Sequence, residues 1–500
     1  MIDQGLHGFN PGGLEYGSSV PQYQQVENLI KAITAGDQQG GSVIGQLNSG
    51  PSLKLESLEA TLKTLSYQMK MFTLYNLIGK KKAYSTAEEY QQWDNYGNES
   101  AYFIGEGDLP ESHDSQYQRL VEQVKFMGTT RQVTDVAMRV NTQVPNLILQ
   151  EEKAGMLFLG KGTDHYLFHG NSNVVPKQFN GMYANHRRAI GGTNENYFQS
   201  SFVKDLRGFS LGEGDVNDAI SSVVNEGYGL VTDIFGPPIV FDGFVKQKYD
   251  IRRTDDQQIQ RGIYGNKVTT FTTQFGDVAV QNDIFARKSI FRQTAGNLAG
   301  ARHPKAPVAV TPNGGAPLAA VADPLGKFQD DLDGEYYYAV AAVNEYGEGP
   351  LTAMNAGGAA FAVADDEAVN LNFTIVNGPY PATGFRIYRS EVDPVAPIGE
   401  TRLYPIFDIS AAQLAEGYDG GAAGLVRDRN YEIPNTESAF VVENNPDQVF
   451  SLKELSPMMK MDLALTSPTY RFMILYYIVN ILYAPKKVTV IKNIGTRIRP

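Results

Sequence analysis

Between Arg302 and Pro434 the chain changes texture, and that break constrains its architecture more than any other feature. The stretch is rich in Ala, Gly, Pro and Asp. GEYYYAVAAVNEYGEGPLT alternates Tyr336, Tyr338, Val340 and Ala342 against Tyr337, Ala339, Ala341 and Val343, and Gly347-Glu348-Gly349-Pro350 closes it as a turn. VNLNFTI (369–375) and GFRIYRS (384–390) are two further strand patterns. Short strands with regular turn signals predict a β-sandwich. Mixed helix and strand patterns precede this stretch and return after Asn435. The order predicts a domain of residues 303–434 inserted into a loop of a larger discontinuous one (51–302 and 435–500), because surface loops tolerate insertions.

The 500 residues give room for about three domains. With 42% apolar and 20% charged residues, the composition is globular and excludes wholesale disorder, collagen or a coiled-coil rod. A net charge of −12 argues against a dedicated nucleic-acid binder. The absence of cysteine excludes disulfides, thiolate metal ligation and a cysteine nucleophile. Met1-Ile2-Asp3-Gln4-Gly5 offers neither the basic region nor the apolar run of a secretory signal. Tyr470–Ala484 (YRFMILYYIVNILYA) is shorter than the ~18 residues a spanning helix needs and contains Arg471 and Asn480. Its Ile, Val and Tyr content reads as a buried strand, so the expectation is a soluble intracellular protein without a membrane partner.

Residues 1–50 are polar and glycine-rich, with one short helical candidate near Gln22–Ala35, and read as an extended arm lying against another surface. Leu58, Leu62, Leu65, Met69 and Phe72 fall on one face of a helix predicted over 52–78. Asn98–Val140 reads as a long hairpin with a turn-rich entry, Gly105-Glu106-Gly107-Asp108-Leu109-Pro110. A hairpin is marginal alone and needs packing from elsewhere, such as a second subunit. Pro145 opens a helix running to His169, with Gly170-Asn171 as its stop. Asp215–Glu226 reads as a helix, Gly236-Pro237-Pro238 as a breaker, and Ile239–Phe241 and Asp277–Asn282 as strands.

No motif carries enzyme chemistry. Gly155-Met-Leu-Phe-Leu-Gly160-Lys161 matches the start of a phosphate-binding loop, but Gly162 stands where Ser or Thr belongs and the context is helical. His165 and His169 share a helix face without a third ligand or the HExxH glutamate, and read as helix-end histidines favoured in their charged form by the helix dipole. Asp331-Leu332-Asp333-Gly334 resembles a calcium loop whose first and twelfth ligands are missing. Glu151-Glu152 and Asp365-Asp366 are adjacent and read as solvated charge. There is neither a GxSxG elbow nor a GxGxxG fingerprint, and no cofactor or metal is expected.

The order of elements resembles that of tailed-bacteriophage major capsid proteins with the Hong-Kong-97-type fold. The resemblance rests on the arm, helix, hairpin and long helix. It also rests on the Gly170…Pro176…Phe179-Asn180-Gly181 loop, GYGLVTDIFGPPIVFDGFVKQKYD (227–250) and KELSPMMKMDLALTSPTYRFMILYYIVNILYAPKKVTVIKNIG (453–495). It implies an α+β fold with an N-terminal arm (1–50), an extended loop (98–140) and a peripheral domain with a spine helix (144–169). An axial domain (215–283) would follow, and Tyr470–Ala484 would return to the peripheral sheet. Residues 303–434 depart from the minimal family pattern and look immunoglobulin-like or fibronectin type III-like. By the same resemblance the extended loop reaches over a neighbouring subunit, with Gly105, Glu106, Asp108, Tyr117, Arg119, Lys125, Phe126 and Arg131 as its contact residues. No matching motif carries the Lys–Asn cross-link of some relatives over to Lys125.

The function implied is a non-enzymatic shell subunit of the virion, assembled in the host cytoplasm and enclosing double-stranded DNA held only non-specifically. Its partners would be copies of itself as hexamers and pentamers, with scaffolding, portal and decoration proteins. Two rival readings are a tail or fibre component carrying the same β-module, and a glycan hydrolase with an accessory sandwich, which would need two carboxylates at a defined separation.

Overall fold

Two mixed sheets, each centred on strands from late in the chain, organise the computed structural model of this protein. It describes residues 67–97, 103–109, 112–139, 146–191, 194–247, 269–288, 302, 304–309, 317–355, 358–376, 378–464 and 467–496. All belong to one compact unit (Thr64–Val140 and Asn146–Pro500). In chain order the first strands are β1 (Lys80–Lys82), β2 (Ala87–Asn95), β3 (Gln116–Gln123), β4 (Lys125–Thr134), β5 (Val203–Asp205), β6 (Asp233–Gly236), β7 (Thr270–Thr273) and β8 (Gly276–Asn282). After them come β9 (Leu318–Ala322), β10 (Tyr338–Asn344), β11 (Glu367–Thr374), β12 (Gly384–Arg389), β13 (Tyr404–Ser410) and β14 (Leu425–Asp428). The last four are β15 (Glu437–Val442), β16 (Phe450–Asp462), β17 (Thr469–Leu482) and β18 (Val488–Ile494). The helices used below are α1 (Thr73–Leu77), α2 (Leu147–His169), α3 (Met182–Ile190), α4 (Glu213–Asn225) and α5 (Pro238–Gln247).

The first sheet has the order β1-β16-β17-β4. Its centre is the run expected as a buried strand: Phe472, Ile474, Tyr476 and Ile478 are buried on one face, and each contributes about 1.5–3 kcal/mol by leaving water. The long helix α2 lies on that face. Its N-cap is Asn146, whose Oδ1 accepts from the Leu149 amide at 3.3 Å. Gly155 and Gly160 are packing glycines, not a phosphate loop. A Cβ on Gly155 would stand 2.5 Å from Ile474 Cδ1, and one on Gly160 2.7 Å from the Phe72 ring.

The second sheet has the order β5-β18-β15-β6-β8-β7. One face packs on α4 and α5 through Val216, Ile220, Val240, Phe241 and Phe244. The other turns Phe235, Phe440 and Val490 toward Phe168 of α2. The axial region expected over 215–283 is therefore not self-contained, because β5, β15 and β18 complete its sheet. The strand expected over Ile239–Phe241 is instead the first turn of α5. Pro238 suits a first helical position, and the strand lies just upstream in the wholly buried β6.

Two further expectations are corrected. Between Gln68 and Ile78 the helix predicted over 52–78 is broken. Met69–Met71 forms a 3-10 turn, Phe72 leaves helical geometry at ψ 81°, and α1 is a separate short helix. Met69 is exposed while Phe72 is buried, so the two do not share a face. Leu58, Leu62 and Leu65 lie outside the described residues, as does the arm of residues 1–50. The hairpin expected over Asn98–Val140 pairs differently. β3 pairs with the upstream β2, Ala87 opposite Gln123, while β4 pairs with β17, Lys125 opposite Ile478. The apolar β17 offers β4 a longer partner than the polar β3 does.

Residues 318–428 supply two larger antiparallel sheets and a short two-stranded one (Gly334–Tyr336 with Phe361–Val363) around one apolar cluster. β9, β11 and β14 give Leu318, Val369, Leu371, Phe373 and Val426, while β10, β12 and β13 give Tyr338, Val340, Phe385, Ile387, Ile406 and Ile409. β10 is buried on both faces, and Ala339 and Ala341 pack against Tyr388 and Leu403 behind it. The calcium-like Asp331–Asp333 stretch is a 3-10 turn and its exit.

Candidate inter-subunit surface

The β2–β3 hairpin is anchored at its base, and its described residues toward the tip are exposed. At the base, the Val124 amide donates to Thr86 O at 2.8 Å. Tyr90 packs edge-on against Tyr483 at 5.4 Å between centroids, in a cluster with Ala83, Val124, Val479 and Ile481. Gln92 Nε2 donates to Tyr483 O at 2.7 Å. The Glu88 carboxylate accepts from Lys453 Nζ at 2.8 Å and from the Tyr84 and Ser85 amides. Burial alone would raise the Glu88 pKa, but these donors outweigh it and hold it below the usual carboxylate range. Burial pushes the Tyr90 hydroxyl up to about 12. Arg188 pairs with Glu122 on the other strand.

Toward the tip the side chains turn apolar and exposed. Trp93 stacks on Tyr117 at 5.4 Å and meets Tyr96 at 4.6 Å, yet all three are more than half exposed. Phe103, Ile104 and Leu109 follow, with Phe103 and Leu109 over 90% exposed. An exposed cluster of large aromatic and aliphatic groups makes this hairpin the candidate interaction surface among the described residues.

The structure divides the residues singled out from sequence into two groups. Gly105, Glu106 and Asp108 form an exposed turn closed by the Asp108 amide on Gly105 O at 3.1 Å. Tyr117 and Arg119 lie on β3, with Arg119 paired to Glu89 across the hairpin. Lys125, Phe126 and Arg131 lie on β4 and belong to the first sheet. Lys125 Nζ donates to Pro176 O at 2.8 Å, Phe126 meets Tyr477 edge-on at 4.8 Å, and Arg131 sits 3.8 Å from Glu151 and 5.7 Å from the Phe158 ring centre. Sequence reasoning missed Trp93 and Tyr96. The chain's one tryptophan, within the otherwise polar AEEYQQWDNY, was the signal.

A second polar feature joins the β-rich segment to the rest. Glu432 is buried between Lys288 and Lys492, each 3.0 Å away, and accepts from the Tyr183 hydroxyl at 2.8 Å. The two cations overcome burial and hold Glu432 well below the carboxylate range. Burial, only partly offset by Glu432, brings Lys492 down to about 7. Beside it, Arg389 is fully buried, bonded to Asp428 and to Glu432 O and lying over the Phe328 and Tyr336 rings. A cavity of about 360 Å³ opens nearby, between the end of α2 and β12–β13. His165 and His169 line it but bond the Phe285 and Ala286 carbonyls, and burial lowers both pKa values. They are neutral histidines, not the charged helix-end pair expected, because desolvation outweighs the helix dipole. Among the described residues no group of three or more His, Cys, Asp or Glu could hold a metal, and no helix is long and apolar enough to cross a membrane.

The profile of the SU10 major capsid protein family matches residues 38–297, more than half of the chain. The chain belongs to that family. A protein of Enterococcus phage phiEF24C, provisionally named a major capsid protein, is 27% identical over 484 residues, which is 94% of this chain and 95% of that one. The major capsid protein of Staphylococcus phage K is 23% identical over 486 residues, with the same coverage. Among solved structures, the capsid of the native GTA particle covers 91% of this chain and 99% of its own at 8% identity and TM-score 0.43. Family and relatives make this a bacteriophage major capsid protein, a structural component of the virion shell. That displaces the tail, fibre and hydrolase readings.

Proposed function

We propose that the protein builds an icosahedral shell of the Hong-Kong-97 type from hexamers and pentamers of itself. The shell would be assembled in the host cytoplasm around double-stranded DNA, with scaffolding, portal and decoration proteins as further partners. The β2–β3 hairpin is the arm that reaches a neighbouring copy. The observation that carries this reading is the exposed Trp93–Tyr96–Tyr117 cluster on a hairpin anchored at its base. Assembly would bury that cluster and stabilise the hairpin by mass action. Gly105, Glu106, Asp108 and Arg119 flank the cluster as its polar rim, while Lys125, Phe126 and Arg131 hold the strand from which the hairpin springs.

Residues 303–434 are read as an inserted immunoglobulin-like domain on the capsid exterior, where it stabilises the shell or adheres weakly to surface glycans. An acidic subunit also repels packaged DNA and so limits non-specific sticking.

Asn95 and Gln116 are opposite one another in β2–β3, so residues 96–115 can be replaced by a two-residue Asn-Gly turn without disturbing the paired strands. The shortened chain is expected to fold and remain soluble but to close no shells, as read by light scattering and negative-stain electron microscopy beside the full chain. Normal particles from the shortened chain would sink this assignment of the hairpin.

A further inference from the structure

Two buried aspartates from distant parts of the chain face each other where α1, α2 and the turn after β8 meet. Asp164 is fully buried on α2, and Asp283, also fully buried, precedes the 284–286 turn. Each oxygen of Asp283 accepts from the backbone and keeps a further lone pair. Its Oδ2 accepts from the Leu74 amide at 2.9 Å and its Oδ1 from the Phe285 amide at 2.8 Å. Asp164 Oδ1 accepts from the Tyr75 amide at 2.8 Å. Asp164 Oδ2 is buried with no donor beside it.

An acceptor-only carboxylate oxygen in that position would be an orphan, costly because nothing replaces its lost water. A carboxylic acid there is not an orphan, because its O–H points at the neighbouring carboxylate. We propose that Asp164 and Asp283 share one proton, carried on Asp164, and that this acid–carboxylate clasp latches α1 onto α2 and the 283–286 turn. Asp283 is the better ionised partner, since two amides donate to it and one to Asp164. Two neighbouring like charges in a dry site cannot both persist. Burial first, and the Asp283 charge second, push the Asp164 pKa up to about 9.

The other titratable and charged groups around the pair have their own contacts. Lys80 Nζ lies 3.6 Å over the Tyr75 ring, and the Tyr75 ring meets Tyr476, whose hydroxyl bonds Glu454. Lys161 lies 5.3 Å over the Tyr67 ring, which itself contacts Phe72 and Phe285. His165 and His169 bond the carbonyls of the same turn, and Lys288 beyond it bonds Glu432. The latch sits where the chain before residue 73 enters the first sheet, so opening it would free Phe72–Ile78 while leaving β16, β17 and α2 in place.

Infrared spectroscopy of the full chain at pH 7, compared with D164N, reads the proton directly. The expected result is one carboxylic-acid carbonyl band, shifted by deuteration, that is lost in D164N. The asparagine amide donates where the acid did, so D164N should fold and keep its latch. A wild-type spectrum without that band, or a band that survives D164N, overturns the proposal. Limited trypsin digestion at Lys70 and Lys80–Lys82 reads the latch. Cleavage of the wild type relative to D164N should rise at least threefold between pH 8 and pH 10. An unchanged ratio would mean that the proton is not what holds α1.

Discussion

Arg389 shows how one side chain can decide whether two sheets meet. It is fully buried, and its charge is met by Asp428, by the Asn430 and Glu432 oxygens and by two aromatic faces. Removing one member of a buried pair leaves the other charge stranded, which costs about 3–5 kcal/mol. Arg389→Ala is therefore expected to lower stability by that amount, and urea unfolding of the two proteins would measure it. A loss under about 1 kcal/mol, the size of an exposed pair, would mean that water reaches Asp428. None of this was legible in GFRIYRS, where alternation on a strand marks a face but does not say that an arginine on it is enclosed.

The elements that were legible share one property, a pattern long enough to be unambiguous. α2 was bounded within three residues by Pro145 and Gly170, and Tyr470–Ala484 was recognised as a strand by its β-branched and aromatic run. The failures were local. The 52–78 pattern overran a break at Phe72, whose ring is drawn into the groove at Gly160. The hairpin was paired with the wrong strand because β3 and β4 are contiguous apart from Val124, while β2 lies across a long connection. The stop of α2 at Gly170 was placed correctly, though close backbone approach and not a left-handed cap requires the glycine, whose φ is −58°. A Cβ on Gly170 would lie 2.4 Å from Phe179 O and 2.7 Å from Tyr166 O, both backbone atoms that cannot swing aside. Gly170→Ala should cost about 1–3 kcal/mol by overpacking. Gly214→Ala, in open space on α4, should be neutral or gain up to about 1 kcal/mol. Thermal melts of the two variants should therefore move in opposite directions or differ clearly in size.

At the scale of the molecule, acid is the condition to which the interior is most exposed. His186 is fully buried and His169 half-buried, and desolvation brings each down to about 4. A histidine whose folded pKa lies below its unfolded value contributes stability that is full above about 6.5 and is lost as pH falls toward 4. His186, the fully buried one, accounts for about 3 kcal/mol over that window. His186→Gln should flatten the acid limb of the stability–pH curve by about one proton, as measured by urea unfolding from pH 7 to pH 4.5. An unchanged slope would place His186 in contact with water. Family, shell role and the β-rich segment were legible from the layout of the whole chain, whereas the exposed aromatic cluster was not, because exposure is a property of the fold.

Strand order also has a consequence in time. β1, β4 and β5 find their partners in β16, β17 and β18, hundreds of residues later. At about 5–20 residues per second, a ribosome needs tens of seconds to supply them. Until then neither sheet has a centre and the hairpin has no base to stand on. An unfinished nascent chain cannot present the surface that would join it to its neighbours. With the hairpin as the proposed inter-subunit arm, translation would act as a timer, keeping subunits still under synthesis out of a growing particle.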